Sequence, residues 1–321
     1  MAAGPLAKRL ARFAGLVCAV AVLNFLVPRA LPGSPIAAGG GADVVLLPDA
    51  ALRALRATYH LDDPLPAQFA RYMGGLARGD LGWSLVTHRP VAVIVLERLP
   101  WTLFLVGGAV AAAALLGGVV GWTAAWHWRR LPVRLATAGV VAIGALPEFL
   151  VAMLLIAVMA SRLHLFPAGG AFTPFAGSGG AAAVADILWH AALPGLTLVA
   201  GLAPAFALLV RNAVVPVLGE RYLVTARAKG LPPRRVAWHA LRNALPPVAT
   251  LLGLRLAAAM AGAAVVERVF AYPGMGWLLY EAVAARDYPV LQGVVLVSSL
   301  AVLSVTLVLD LLAALIDPRL R

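Results

Sequence analysis

The chain has 321 residues, 62% of them hydrophobic and 12% charged, with a mean hydropathy of +0.90. A soluble domain carries about 25% charged residues, so soluble enzymes and solvated scaffolds are excluded and a polytopic membrane protein is expected. The net charge of +12 and a pI near 11.1 would suit a nucleic-acid partner only if the cations were gathered on a solvated face.

Six apolar stretches reach the roughly 20 residues that a hydrocarbon core requires. They are residues 10–31, 101–126, 135–160, 189–210, 245–266 and 288–316, the last long enough to include a piece outside the bilayer. An all-α membrane protein with about six transmembrane helices follows. The first stretch, preceded by Lys8 and Arg9, reads as a retained anchor and not as a cleavable signal peptide. Its apolar run is at the upper limit for a signal core, and residues 34–38 make a poor cleavage site. Cys18, the single cysteine, leaves no intramolecular disulfide.

A long outer segment, residues 32–98, comes next. It opens on a flexible AAGGGA tract at 37–42 and continues as an amphipathic helix around 48–59. Gly79-Asp80-Leu81-Gly82 lacks the lysine and helix opening of a phosphate loop and is expected to be a structural turn. A second outer loop, 168–183, is nearly all small residues and is expected to be flexible. Pro194 and Pro204 in the fourth span free backbone carbonyls and imply kinks.

Residues 220–243, ERYLVTARAKGLPPRRVAWHALRN, form a polar island between two apolar segments. Glu220 to Lys229 holds good helix formers. Gly230 can supply a left-handed cap, and Pro232-Pro233 suits the first turn of a second helix. In that helix Val236, Ala240, Leu241, Ala244 and Leu245 recur at helical spacing, with Arg235, His239, Arg242 and Asn243 largely elsewhere. The small residues Ala226, Ala228 and Gly230 would let another protein approach the backbone closely. The island is either a solvated loop that fixes topology or a docking element for a cytoplasmic partner.

Charge distribution sets the orientation. With the N-terminus inside, the inner segments hold Lys8, Arg9, Arg12, Arg129, Arg130, Arg134, Arg211, Arg221, Arg227, Lys229, Arg234, Arg235, Arg242, Arg319 and Arg321, against Glu220 and Asp317. The outer segments balance, with ten cations and ten acids, Glu267 and Asp287 among the latter. Positive-inside bias therefore puts both termini and the 220–243 island in the cytoplasm, facing anionic lipid. Nucleic acid is not needed to explain the basicity.

No catalytic constellation emerges. Lys8 and Lys229 are the two lysines and neither completes a P-loop, so the chain offers no ATP site of that type. The histidines have no metal-ligand spacing and read as interfacial or loop residues; Trp126 and Trp128 beside Arg129-Arg130 read as an interfacial anchor. Three charges fall inside spans: Glu148, Arg255 and Asp310. Each costs about 2.5–3.5 kcal/mol on insertion scales. Glu148 and Arg255 lie at similar depth, so they either pair or separately face water in a transport path. An ion-driven secondary transporter using Glu148 and Asp310 is the alternative function, although no inverted repeat is visible.

The island resembles the cytoplasmic coupling loop of ABC-transporter permease subunits. TARAKGL at 225–231, followed by H-x-L-R-N at 239–243, is similar to the dipeptide/oligopeptide class. The likeness extends through HLDDPLPAQFARY, RGDLGWSL, ERLPWTL, LPEFL, HAALPGLTL, VVERVFAYPGMGWLL, RDYPVLQG and the terminal IDPRLR, all in the order expected. Two departures are His60, where members commonly have glycine, and Thr306, where an asparagine usually stands four residues before the aspartate. The resemblance implies a first helix and large extracytoplasmic segment over residues 1–98, then a five-helix permease core over 99–321 with the coupling loop at about 211–245. It implies that Glu220, Thr225, Ala226, Arg227, Ala228, Lys229, Gly230, Leu231, His239, Arg242 and Asn243 belong to the ATPase-coupling element. It further implies a second permease subunit, two ATPase subunits that carry ATP and Mg, an extracytoplasmic solute-binding protein, and a place in the bacterial cytoplasmic membrane. Peptides are the expected cargo, with nickel and glutathione as alternatives.

Overall fold

A computed structural model describes residues 3–30, 63–174 and 179–316. The AAGGGA tract, the helix expected around 48–59, Phe175 and residues 317–321 lie outside the described residues.

Among the described residues the chain is helical, with one isolated bridge between Trp83 and Pro90. The helices are α1 (Ala3–Ala30), α2 (Leu65–Ala77), α3 (Val91–Trp126), α4 (Leu131–Gly144), α5 (Glu148–Leu155), α6 (Ala181–Leu218), α7 (Arg221–Ala228), α8 (Pro233–Val269), α9 (Met275–Ala284) and α10 (Tyr288–Ile316). A π-helical stretch, Ile156–Arg162, continues α5. Among the described residues four segments are long and apolar enough to cross a membrane: Ala7–Leu26, Val91–Trp126, Ala181–Leu218 and Tyr288–Leu309. The chain is thus a helical polytopic membrane protein. The stretch expected at 245–266 lies within the 37-residue α8, which begins in the polar island.

The third expected span, 135–160, is not one rod. α4 and the α5–π segment meet at a bend of 100°. Pro147 is the cause: it has no N–H to donate and excludes helical geometry at Leu146. The amides of Ala145 and Leu146 fold back in a tight turn onto Ala142 O and Ile143 O at 3.2 and 3.1 Å. Pro147, at φ −57° and ψ 136°, then restarts the chain as α5. In α6, by contrast, helix runs unbroken through Pro194, Pro204 and Pro216. Tertiary packing covers the first two, which are buried.

The chain divides into two compact units, Met1–Pro100 with Pro273–Ser304 and Trp101–Tyr272 with Val305–Arg321. In the first, α1 buries Phe25 edge-on against Phe69, with ring centroids 5.1 Å apart. Asn24, a polar residue in an apolar helix, is satisfied: its Nδ2 donates to Tyr72 Oη and Gln292 O, and Gln292 Nε2 donates to Asn24 O, each at 3.0 Å. Gly79 and Gly82 take φ of +76° and +84°, and Asp80 Oδ1 accepts the Gly82 amide at 2.9 Å, which makes this segment the expected turn. Asp287, counted among the outer acids, is not solvated. It is 3% exposed and accepts Ser84 Oγ at 2.5 Å and the Leu85 amide at 3.3 Å, tying the turn to the start of α10.

The second unit is built around α6. Gly117 and Gly121 on α3 lie against it so closely that an added Cβ would come 2.4 Å from Ala203 O and 2.2 Å from Ala207 O. Small residues four apart on both helices permit this approach, the usual device for packing membrane helices. Gly144 closes the end of α4 on the Pro204 ring in the same way.

Candidate functional site: the coupling segment and the buried charges

The polar island folds as its turn chemistry dictates. Glu220 is the extended N-cap of α7, and Lys229 ends it. Gly230 follows at φ +73°, a conformation costly for any residue with a Cβ. The Gly230 amide donates to Arg227 O at 3.0 Å and the Leu231 amide to Ala226 O at 3.2 Å, the paired bonds of a Schellman cap. Pro232 then caps α8, which starts at Pro233.

One side of this helix–glycine–helix element packs inward. Leu223, Val236 and Ala240 are buried together, with Ala226, Leu231, Val217, Leu218, Trp122 and Trp126 around them. Burying a leucine such as Leu223 contributes about 1.5–3 kcal/mol. Trp126 stacks on Trp122 at 5.3 Å and floors the element; Trp128 is the exposed ring, with Arg129 at 5.1 Å over it. Ala226 is half-buried in this cluster, so its small size serves the segment's own packing, and Ala228 and Gly230 are the small residues on the open side.

The other side is exposed: Glu220, Thr225, Arg227, Ala228, Lys229, His239, Arg242 and Asn243 all face outward. Asn243 Nδ2 donates to Tyr222 Oη at 2.7 Å and so braces α7 against α8. Trp238 and Val224 stand on the same element, 61% and 58% exposed. Tyr222, Leu223, Val224 and Trp238 were not singled out from sequence; apolar residues flanking the cations on two short helices were the available signal. A cavity of about 360 Å³ lies beside the cap, lined by Trp126, Leu218, Arg227, Leu231, Pro233 and Val236.

The intramembrane charges are not brought together as a pair. Glu148 begins α5 just after the bend, and its Oε1 is 3.1 Å from where a Cβ on Gly201 of α6 would stand. Arg255 is exposed on α8, and no ion pair joins it to Glu148. The bend moves Glu148 off the straight rod from which equal depth was counted. Asp310 lies on α10, with its side chain outside the described residues. Glu148→Gln and Arg255→Gln are therefore expected to be additive in the melting of detergent-solubilised protein, to within about 0.5 kcal/mol, as for sites without shared partners. A larger coupling in the double variant would restore the pair.

Glu267, counted among the outer acids, is fully buried. Its Oε1 accepts a hydrogen bond from Thr102 Oγ1 at 2.6 Å, which offsets the cost of burying it. The partner is 165 positions away in the chain, beyond the reach of any local pattern. His190 is likewise buried, its Nδ1 2.9 Å from Asp186 O, and is not a loop residue. Among the described residues no group of three or more His, Cys, Asp or Glu is placed to hold a metal ion.

Together these features define a helical membrane protein with a cationic, partly apolar element whose inner side is packed and whose outer side is exposed. The chain belongs to the family of binding-protein-dependent transport system inner membrane components, whose model matches residues 117–321. It is similar to the glutathione transport system permease protein GsiC of Salmonella paratyphi A, at 39% identity over 98% of this chain and 97% of the relative. GsiC of Escherichia coli K12 is 38% identical over the same shares. "Putative peptide permease protein BOV_A0351" of Brucella ovis is 36% identical over 96% and 95%. The chain is an ABC importer permease of the peptide/oligopeptide family, a transport subunit and not the catalytic one. Membership in that family displaces the ion-driven secondary transporter.

Proposed function

We propose that this chain forms half of the translocation path for di- or oligopeptides in the bacterial cytoplasmic membrane, and that its 220–243 element docks on a cytoplasmic ATPase. The observation that carries the reading is the two-sided coupling element. Its inner face is fixed to the core through Leu223, Val236 and Ala240, while its outer face of cations, His239 and Trp238 is left open. A push on that face is transmitted to α6 and α8 without first deforming a loop. Six spans with both termini inside fit the charge asymmetry. The other half of the path belongs to a second permease subunit, forming a heterodimer. Two ATPase subunits hold ATP and Mg, and this chain binds no cofactor of its own. An extracytoplasmic binding protein delivers the solute. Peptide-type cargo is preferred over nickel because the relatives include a glutathione permease and a protein named for peptides.

The test is reconstitution of the whole assembly in proteoliposomes with the binding protein outside and MgATP in the lumen, on the side that the ATPases face. Uptake of labelled trialanine or glutathione is expected, dependent on nucleotide and on the binding protein. Uptake of neither, with nickel accumulating instead, would refute the peptide reading.

A further inference from the structure

We infer that Glu267 is the shared acceptor of a two-position switch, held by Thr102 in this structure and taken by the Tyr272 hydroxyl in another state of the transport cycle. Glu267 sits in the last turn of α8 and Thr102 near the outer part of α3, and both are buried. Tyr272, also fully buried, follows α8 in a turn whose amide donates to Glu267 O at 2.7 Å. Among the described residues its Oη makes no hydrogen bond. A buried phenol left without an acceptor is costly, and native structures rarely keep one without a use.

Burial, and then the charge of Glu267, push the Tyr272 phenol up to about 12. The hydroxyl therefore stays protonated at neutral pH and keeps its proton to donate. The two donors differ in what they can do when they lose Glu267. A helical threonine can fall back on the carbonyl one turn before it; the phenol has no such local acceptor. Trp101, next to Thr102, packs edge-on against Tyr272 and stacks on Phe172, each at 6.0 Å. Gly169 and Gly170 press on Phe270, with the Gly170 amide donating to its carbonyl at 2.8 Å. Trp101 and Thr102 of α3, the 169–172 segment and the turn after α8 thus pack together around the end of α8. Moving α3 against α8 exchanges Thr102 for Tyr272 and keeps Glu267 bonded in both states.

This rests on the reading that the chain alternates between two access states under ATPase control. The test uses the assembled transporter in lipid nanodiscs, comparing Tyr272→Phe, Thr102→Val and Thr102→Ser with wild type. The readouts are Tm without nucleotide and the rate of ATP hydrolysis stimulated by the binding protein. Tyr272→Phe should raise Tm, because an unsatisfied hydroxyl is removed, yet slow stimulated hydrolysis about fivefold, the worth of one buried hydrogen bond. Thr102→Val should lower Tm, and Thr102→Ser should restore it. A Tm lowered by Tyr272→Phe would mean that the hydroxyl already has an acceptor, and hydrolysis at the wild-type rate would mean that no state uses it; either result overturns the switch. If wild type itself shows no stimulated hydrolysis, the importer reading fails and the switch falls with it.

Discussion

Replacing Gly230 with proline is expected to abolish ATP-driven uptake by the assembled transporter while the chain still inserts in the membrane. Gly230 holds φ at +73°, and proline is locked near −65°. The substitution also removes the amide that donates to Arg227 O at 3.0 Å, so the cap that sets the angle between α7 and α8 is lost. Gly230→Ala keeps that donor and strains only the backbone, at about 1–2 kcal/mol. The two variants therefore separate strain from loss of the turn. Alanine should retain measurable uptake and ATPase copurification, whereas proline should lose both by at least about tenfold, the result of roughly 1.4 kcal/mol or more at the docking step. The apolar segments are untouched, so the amount of chain in washed membranes should match wild type. Wild-type uptake by Gly230→Pro would remove the coupling role from the element.

The coupling segment was legible because everything that shapes it is local. A left-handed glycine, a proline pair and an apolar repeat act within a few residues of their own positions, and α7, the cap at Gly230 and the start of α8 appear where that chemistry puts them. The side of the segment that faces inward was harder to read. Ala226 looked like room for a partner because sequence shows its size but not that Leu223 and Val236 lie beside it. Hydropathy runs without interruption through residues 135–160, so the third span looked continuous, although Pro147 was there to break it. The burial of Glu267 and Asp287 was not visible in the sequence, because each lies against a hydroxyl, Thr102 and Ser84, far away in the chain. Buried polar pairs of this kind are satisfied only by tertiary structure, and no periodicity announces them.

Gly121→Ala is expected to cost more stability than any other single-methyl change on α3, and its neighbour Gly118→Ala is expected to have the opposite sign. An added Cβ at Gly121 would stand 2.2 Å from Ala207 O and 3.0 Å from Val210 Cβ. Backbone carbonyls of a packed helix cannot turn aside, so α3 and α6 must separate. Gly117 is constrained in the same way, with Phe206 Cβ at 2.7 Å as well as Ala203 O. Overpacking of this kind costs about 1–3 kcal/mol, and more when separation also opens the contacts beyond it. Around Gly118 nothing lies within 4 Å, so alanine there meets open space and gains the helix preference over glycine, about 0.5–1 kcal/mol. Melting of the purified chain in detergent should therefore drop for Gly117→Ala and Gly121→Ala and hold or rise for Gly118→Ala. Because the first two act on one interface, their double variant should lose less than the sum, the helices having already moved apart. Equal melting of Gly118→Ala and Gly121→Ala would mean that α3 does not lie on α6 through this face, and the close packing at the centre of the second unit would have to be abandoned.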